Sequence, residues 1–119
     1  MTTDTVKYSP AKLKEFEQIL NEKLEEAQEQ INDKKESVNK RKTQVAQSNL
    51  GFSEGSRHFQ EQAKNKRFIR RLQHQSRELR AALGRIEDET YGVCERTGKL
   101  IREARLHAMP TAKFDLKRQ

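Results

Sequence analysis

Between Pro10 and Gln47 the chain contains no glycine and no further proline, and its apolar residues recur every seven positions. Leu13, Leu20 and Ala27 form one series, and Leu24, Ile31, Val38 and Val45 the other. Interleaved, the two series step by three and four, the seam of a helix that buries one narrow stripe against a second helix. Lys34 and Arg41 continue the first series in place of apolar residues, so the seam weakens towards the C-terminal half of this helix. Ser9 before Pro10 supplies the start, a hydroxyl that can cap free N–H groups and then a residue pre-set for the first helical position.

The punctuation comes at Ser48–Ser56, which holds Gly51 and Gly55 among several turn formers. A second periodic run follows and is expected to reach about Thr90, with Ile69, Ser76 and Leu83 in one series and Leu72, Leu79 and Ile86 in the other. Two seamed helices joined by a short turn predict an antiparallel helical hairpin with arms about 50 Å long at about 1.5 Å per residue. Tyr91-Gly92 ends the second helix. Val93 to Ile101 reads as two short extended pieces around a turn at Thr97-Gly98, and Arg102 to Met109 as a short helix stopped by Pro110. The expected organisation is therefore mainly all-α. Residues 1–90 form the N-terminal segment and coiled-coil hairpin, with a tip near 48–56, and residues 91–119 form a small lobe. Tyr8, Tyr91, Val93, Leu100, Ile101, Leu106 and Phe114 are its expected core.

Composition narrows the functional classes. Only 32% of the residues are apolar and 36% are charged, too polar for a compact core of the full length. No apolar run approaches the roughly 20 residues needed to cross a bilayer, so a cytoplasmic protein is expected. The single cysteine, Cys94, precludes an internal disulfide. The net charge of +7 is unevenly placed. Glu15, Glu17, Glu22, Glu25, Glu26, Glu29 and Asp33 make the first part of helix one acidic, and are expected to face Arg71, Arg77, Arg80 and Arg85. The basic hairpin surface comprises Lys34, Lys35, Lys40, Arg41, Lys42, Arg57, Lys64, Lys66, Arg67 and Arg70, opposed within that stretch only by Glu36, Glu54 and Glu61. Such a surface is either simply solvated or matched by an anionic partner, nucleic acid or an acidic protein groove. Phe52, Phe59 and Phe68 punctuate it, at spacings that suit a helical seam better than a base-stacking platform.

Catalytic signatures are missing. There is no glycine-rich phosphate loop and no G-x-S-x-G. His58, His74 and His107 are far apart in sequence. His107 shares the C-terminal segment with Cys94, but no cleft is foreseen there to hold a substrate. Glu87, Asp88 and Glu89 fit a charged helix end. The chain is not expected to be an enzyme.

The run Arg85-Ile86-Glu87-Asp88-Glu89-Thr90-Tyr91-Gly92-Val93-Cys94-Glu95-Arg96-Thr97-Gly98 resembles the DksA/TraR (DnaK suppressor) family of transcription regulators. The likeness continues through Leu100-Ile101, Arg105-Leu106 and Ala108-Met109-Pro110-Thr111-Ala112, a minority of the chain. It implies a long antiparallel coiled coil beside a small C-terminal lobe. It also implies direct binding to bacterial RNA polymerase, with the coiled-coil tip entering the secondary channel to modulate initiation. On that reading the tip contact falls to Glu54 with Gly51, Phe52, Ser53 and Gly55.

The sequence departs from the family pattern in three places. The family's lobe usually holds zinc through four cysteines; here Cys94 matches the first, while Thr97, Asp115 and Arg118 stand at the others. One thiolate cannot make a structural tetrahedral site, so a degenerate, zinc-less finger is expected, with apolar residues replacing the metal's contribution. At the tip, the family's D-x-x-D pattern reduces to Gly51 and Glu54. Glu78 and Met109 occupy the places of a lysine and an arginine that help bind guanosine tetraphosphate, and Arg71 alone remains as a basic contact. No cofactor is therefore expected. Two other readings stand beside the regulator: a basic helical nucleic-acid binder using Lys34–Arg70, and a self-associating coiled coil, for which Phe59, Phe68 and Ile69 are the candidate stripe. A monomer bound to polymerase, with nucleic-acid contact secondary and no membrane association, is the expectation.

Overall fold

In the computed structural model, residues 6–47 and 51–115 are described, with Phe52 described by its backbone alone. Helix α1 spans Pro10–Ala46 and α2 spans Phe52–Glu87, followed by the short α3, Glu103–Ala108. The two long helices run antiparallel as a helical hairpin, since Gln62 donates its side-chain amide to the Val38 carbonyl while Lys34 meets Phe68. No helix among the described residues is long and apolar enough to cross a membrane.

The helix ends follow capping chemistry. The N–H of Lys12 donates to Ser9 Oγ at 3.3 Å, and the N–H of Leu13 to the Ser9 carbonyl at 2.9 Å, so Ser9 is the N-cap and Pro10 the first helical residue. Helix α2 begins earlier than the sequence implied. The Gly55 N–H already bonds the Gly51 carbonyl at 2.9 Å, which makes Gly51 the N-cap and leaves Gly55 inside the helix. Glycine is tolerated at an N-cap because that position is not helical, and Glu54 in the first turn complements the free N–H groups. The other expected turn residues, Ser48 to Leu50, lie outside the described residues.

Helix α2 also ends earlier, at Glu87 rather than Thr90. The Thr90 N–H bonds the Arg85 carbonyl at 2.8 Å and the Glu89 N–H bonds Ile86 at 3.0 Å. This double closure is a Schellman motif. Its left-handed residue is Glu89, with φ 65°, where glycine is the common choice. An exposed ion pair with Lys7 at 2.6 Å accompanies that strained position.

The chain divides into two compact units, Met1–Leu24 with Arg77–Gln119, and Glu25–Ser76. The first, the lobe unit, is built around Tyr8, Leu13, Phe16, Leu20, Leu79, Ala82, Tyr91, Cys94, Ile101, Leu106 and Ala112. Of the expected lobe core, Tyr8, Tyr91, Ile101 and Leu106 are buried, but Leu100 and Phe114 are 36% and 37% exposed and Val93 is half-buried. The cause is the pleat. Val93 and Leu100 form an antiparallel bridge, and side chains alternate faces along extended backbone, so their neighbours Cys94 and Ile101 turn inward. Phe16, one position off the heptad series, occupies the centre instead. Its ring centroid lies 5.5 Å from that of Tyr91, 6.1 Å from Tyr8 and 5.1 Å from His107. The buried hydroxyls have partners, as buried polar groups must: Tyr91 donates to the Pro110 carbonyl at 2.7 Å, and Tyr8 to that of Ile101.

The second, hairpin unit has a thinner core of Ile31, Val38, Ile69 and Leu72, with Phe68 packed against it. Gln62 and Ser76 interrupt this seam; both are buried, and Gln62 Oε1 and Ser76 Oγ lack a hydrogen-bond partner. Each such orphan costs roughly 1–3 kcal/mol, which makes this unit the less firmly packed of the two. The expected match between the acids of α1 and the arginines of α2 does not take the form of ion pairs. Among the described residues, Glu22, Glu25, Glu26 and Glu29 lie exposed on the outer face, and no salt bridge joins Glu17–Asp33 to α2.

Two glycines separate local strain from packing. Gly92 has φ 80°, and a Cβ there would meet the Tyr8 ring at 2.5 Å; Gly98 has φ 76° but open space around it. Gly98→Ala is expected to cost about 1 kcal/mol, the left-handed penalty alone. Gly92→Ala should cost at least about 2 kcal/mol because the ring must also move, a fall in Tm of roughly 10 °C. Thermal denaturation followed by circular dichroism separates the two.

Candidate functional site

The residues expected to touch a partner fall on the hairpin unit. Glu54 is exposed in the first turn of α2 and forms no ion pair among the described residues. Gly51 and Ser53 are exposed and Gly55 is half-buried, while the side chain of Phe52 lies outside the description. Placing Glu54 at a helix N-terminus sets its carboxylate in a favourable dipole field. Phe59 is 74% exposed, the most exposed large apolar side chain described. Of the three residues weighed for self-association, Ile69 is buried in the seam and Phe68 is half-buried, so Phe59 alone remains a free apolar surface.

The expected basic surface divides by position. Lys35, Lys40, Arg41, Lys42, Arg57, Lys66 and Arg70 are exposed cations distributed over both helices. Lys34, Lys64 and Arg67 instead converge with Asn65, Phe68 and Arg71 to line a groove enclosing about 440 Å³. The Lys34 Nζ stands 5.1 Å from the Phe68 ring centroid and the Arg71 guanidinium 5.3 Å from it, both within cation–π range. Sequence reasoning assigned Arg71 to the acids of α1 and overlooked Asn65. The available signal was the spacing 64, 67, 68, 71, which brings those residues to one face of α2.

In the lobe unit, Cys94 is buried at the first turn after the bridge. Its thiol is drawn down from the ordinary value of 9.0 to about 7, first by the Thr97 side chain and then by a hydrogen bond from the backbone of Asp115, against the opposing effect of burial. His107 packs on Phe16, and among the described residues no group of three or more histidine, cysteine, aspartate or glutamate side chains could hold a metal. Asp115 pairs with Arg102 at 3.2 Å, and Arg118 lies outside the described residues.

Arginines tie down the segment that carries Asp115. Arg85 donates to the Thr111 carbonyl and Arg105 to that of Phe114, each at 3.3 Å, and Arg96 lies 4.8 Å from the Phe114 ring centroid. The Glu95 N–H adds a 2.9 Å bond to the Lys113 carbonyl. Beside the apolar residues expected to replace the metal's contribution, charged and main-chain groups fasten residues 111–115 to the Cys94–Thr97 turn and to α2 and α3.

Comparison with known proteins bears on the same region. Residues 89–114 match the family model of the prokaryotic dksA/traR C4-type zinc finger. The fold is similar to that of the transcription factor DksA2 from Pseudomonas aeruginosa, with a TM-score of 0.78 and 22% identity over 88% of this chain and 78% of that one. No curated protein sequence matches the chain significantly. The residues present do not fit the four-thiolate metal site that the family model describes: Thr97 stands where its second cysteine belongs, and its hydroxyl serves the Cys94 sulfur instead.

The lowered thiol has a consequence for stability. An acid whose pKa is depressed by folding contributes stability that is present above the unfolded value and lost as pH falls through the folded one. Between pH 9 and pH 6 the wild type is therefore expected to lose thermal stability relative to Cys94→Ala, with the difference changing most at about pH 8, midway between the unfolded and folded values. Parallel melting curves of the two proteins measure it.

Proposed function

We propose that this chain, a member of the DksA/TraR family by its C-terminal segment and its helical-hairpin fold, is a non-enzymatic transcription regulator that binds bacterial RNA polymerase. In this reading the hairpin inserts into the secondary channel. Glu54, with Gly51, Phe52, Ser53 and Gly55, makes the tip contact, and the lobe of residues 91–119 anchors outside. The observation that carries the reading is the presence in one chain of the family's C-terminal segment and the hairpin fold shared with a transcription factor. The free carboxylate of Glu54 and the exposed ring of Phe59 support a contact at this end of α2. Cationic charge on the same unit suits fast, salt-sensitive encounter with an acidic surface. On this reading the protein is a cytoplasmic monomer, its apolar seam residues Ile31, Val38, Ile69 and Leu72 being buried within the chain.

The second reading, a nucleic-acid binder, is favoured by one observation: none of the ten cations of the basic surface pairs with a carboxylate among the described residues. Interferometry against purified RNA polymerase core separates the two, with duplex DNA run at matched salt. Saturable polymerase binding, weakened about tenfold or more by deletion of residues 48–56 and measurably by Glu54→Ala, is the expected result; a tenfold loss corresponds to about 1.4 kcal/mol. Strong DNA binding without polymerase binding sinks the regulator reading.

A metal-free lobe belongs to the same proposal. Structural zinc supplies folding free energy, so chelation unfolds domains that depend on it. Incubation with excess EDTA should leave the Tm of this protein within about 1 °C of its starting value. A drop of several degrees, reversed by zinc, overturns that assignment.

A further inference from the structure

The packed seam of the hairpin unit stops short of its turn. Val38 is the last buried residue of α1 and Gln62 the first of α2, and no side chain described in 39–47 or 51–61 is buried. Continued outward, the heptad series fall on Arg41 and Val45 of α1 and on Gly55 and His58 of α2. Val45 is the one apolar side chain among these four; it, Gly55 and His58 are half-buried, and Arg41 is exposed. A Cβ at Gly55 would meet nothing within 4 Å, so the helices leave open space at a position where knobs-into-holes packing would bring a neighbour close. The His58 Nδ1 is shielded from solvent and lacks a hydrogen-bond partner. Lys40, Arg41 and Lys42 follow one another on α1, and no salt bridge lies in either stretch among the described residues.

Helix propensity therefore has to do here what burial does further in. Most helical stability in proteins comes from packing an apolar face, and turns that bury nothing add close to zero free energy per residue. Gly55 lies inside α2, where its backbone entropy opposes the helix, and Asn39 and Thr43 are weak helix formers on α1. The next rung inward is fastened. Gln62 donates its amide to the Val38 carbonyl at 3.3 Å, and Ile31, Ile69 and Leu72 pack behind it.

We propose that residues 39–46 and 52–61 form a separately opening end of the hairpin, which unwinds and re-forms while the helices inward of the Val38–Gln62 rung stay intact. Such local opening is a property of the free chain and is independent of any partner. The end that opens carries Glu54 and the exposed Phe59 ring, so these two groups are presented in more than one geometry rather than on a rigid rod.

The test is hydrogen exchange of the full chain without a partner, resolved by residue with NMR and divided by the intrinsic rate of each amide. In the wild type, amides of 43–46 and 56–61 are expected to exchange at least about a hundredfold faster than those of 69–76. Gly55→Ala should slow amides 56–61 about fivefold, the propensity difference between the two residues, and leave 69–76 unchanged. Its Tm should move by less than about 1 °C, because a segment already open at the melting temperature adds nothing to the main transition. Gly84→Ala is the control, the same replacement in α2 but in the lobe unit, again with nothing within 4 Å of the new Cβ. It should raise Tm by about 4 °C and leave 56–61 unchanged.

Exchange at 56–61 as slow as at 69–76 overturns the proposal, and that comparison needs no variant. An equal gain in Tm from Gly55→Ala and Gly84→Ala does the same, since the end then unfolds only with the rest. Unchanged exchange at 56–61 in Gly55→Ala also overturns it, because the opening then does not unwind the helix.

Discussion

Phe16 is the contact on which the lobe unit depends. It lies on α1, but it is not a regular member of that helix's heptad stripe. Its ring is fully buried and touches Tyr8 from the segment before the helix, Tyr91 from the turn after α2, and His107 from α3. A chain that is 32% apolar has few large side chains to spend on a core. One aromatic that reaches three separate segments makes a long helix serve also as the wall of a small lobe. The two tyrosines around it are apolar on the ring and satisfied at the hydroxyl, so the cluster buries polar atoms without orphaning them.

Around that cluster, contacts made by the chain's own groups fasten the lobe. In a four-cysteine finger, one ion would join the Cys94–Thr97 turn to the segment near Asp115. Here the Glu95–Lys113 main-chain bond, the Arg96–Phe114 contact and the Cys94 thiol make that junction, while Arg85, Arg102 and Arg105 tie the same segment to α2 and to the start and body of α3. Each of these is individually modest, since exposed ion pairs contribute about 0–1 kcal/mol. Together they oppose the fraying of a short segment that has no regular secondary structure of its own. The arginines also leave the lobe's fastening open to solvent, where salt screens it.

The hairpin unit has a different physical character. Its core is thin, two buried polar side chains interrupt its seam, and no salt bridge joins its cations to a carboxylate among the described residues. These features lower stability and at the same time leave charge available for a partner. A seam that satisfied every polar group and paired every cation would give a firmer hairpin with nothing to offer a binding surface.

Much of this was legible in the amino-acid order because it depends on local rules. Heptad spacing from Leu13 to Val45, Ser9-Pro10 at the helix start, Pro110 at a helix end and the Cys94-x-x-Thr97 substitution each carry their meaning within a few residues. The helix boundaries at Phe52 and Glu87 were harder, because a glycine N-cap and a left-handed glutamate are minority solutions that composition does not announce. Only the tertiary structure decided which of Val93 and Cys94, or Leu100 and Ile101, faced inward, since a one-residue change of register inverts an extended segment. It alone decided that Phe16 rather than Phe114 filled the lobe, and that Lys34 joined Lys64, Arg67 and Arg71 around Phe68 while the other cations stayed apart. The sequence determined the helices, their seam and the excess of positive charge, because these depend on neighbours a turn or a heptad away. Where that charge was concentrated depended on side chains far apart in sequence, and packing alone brings those together.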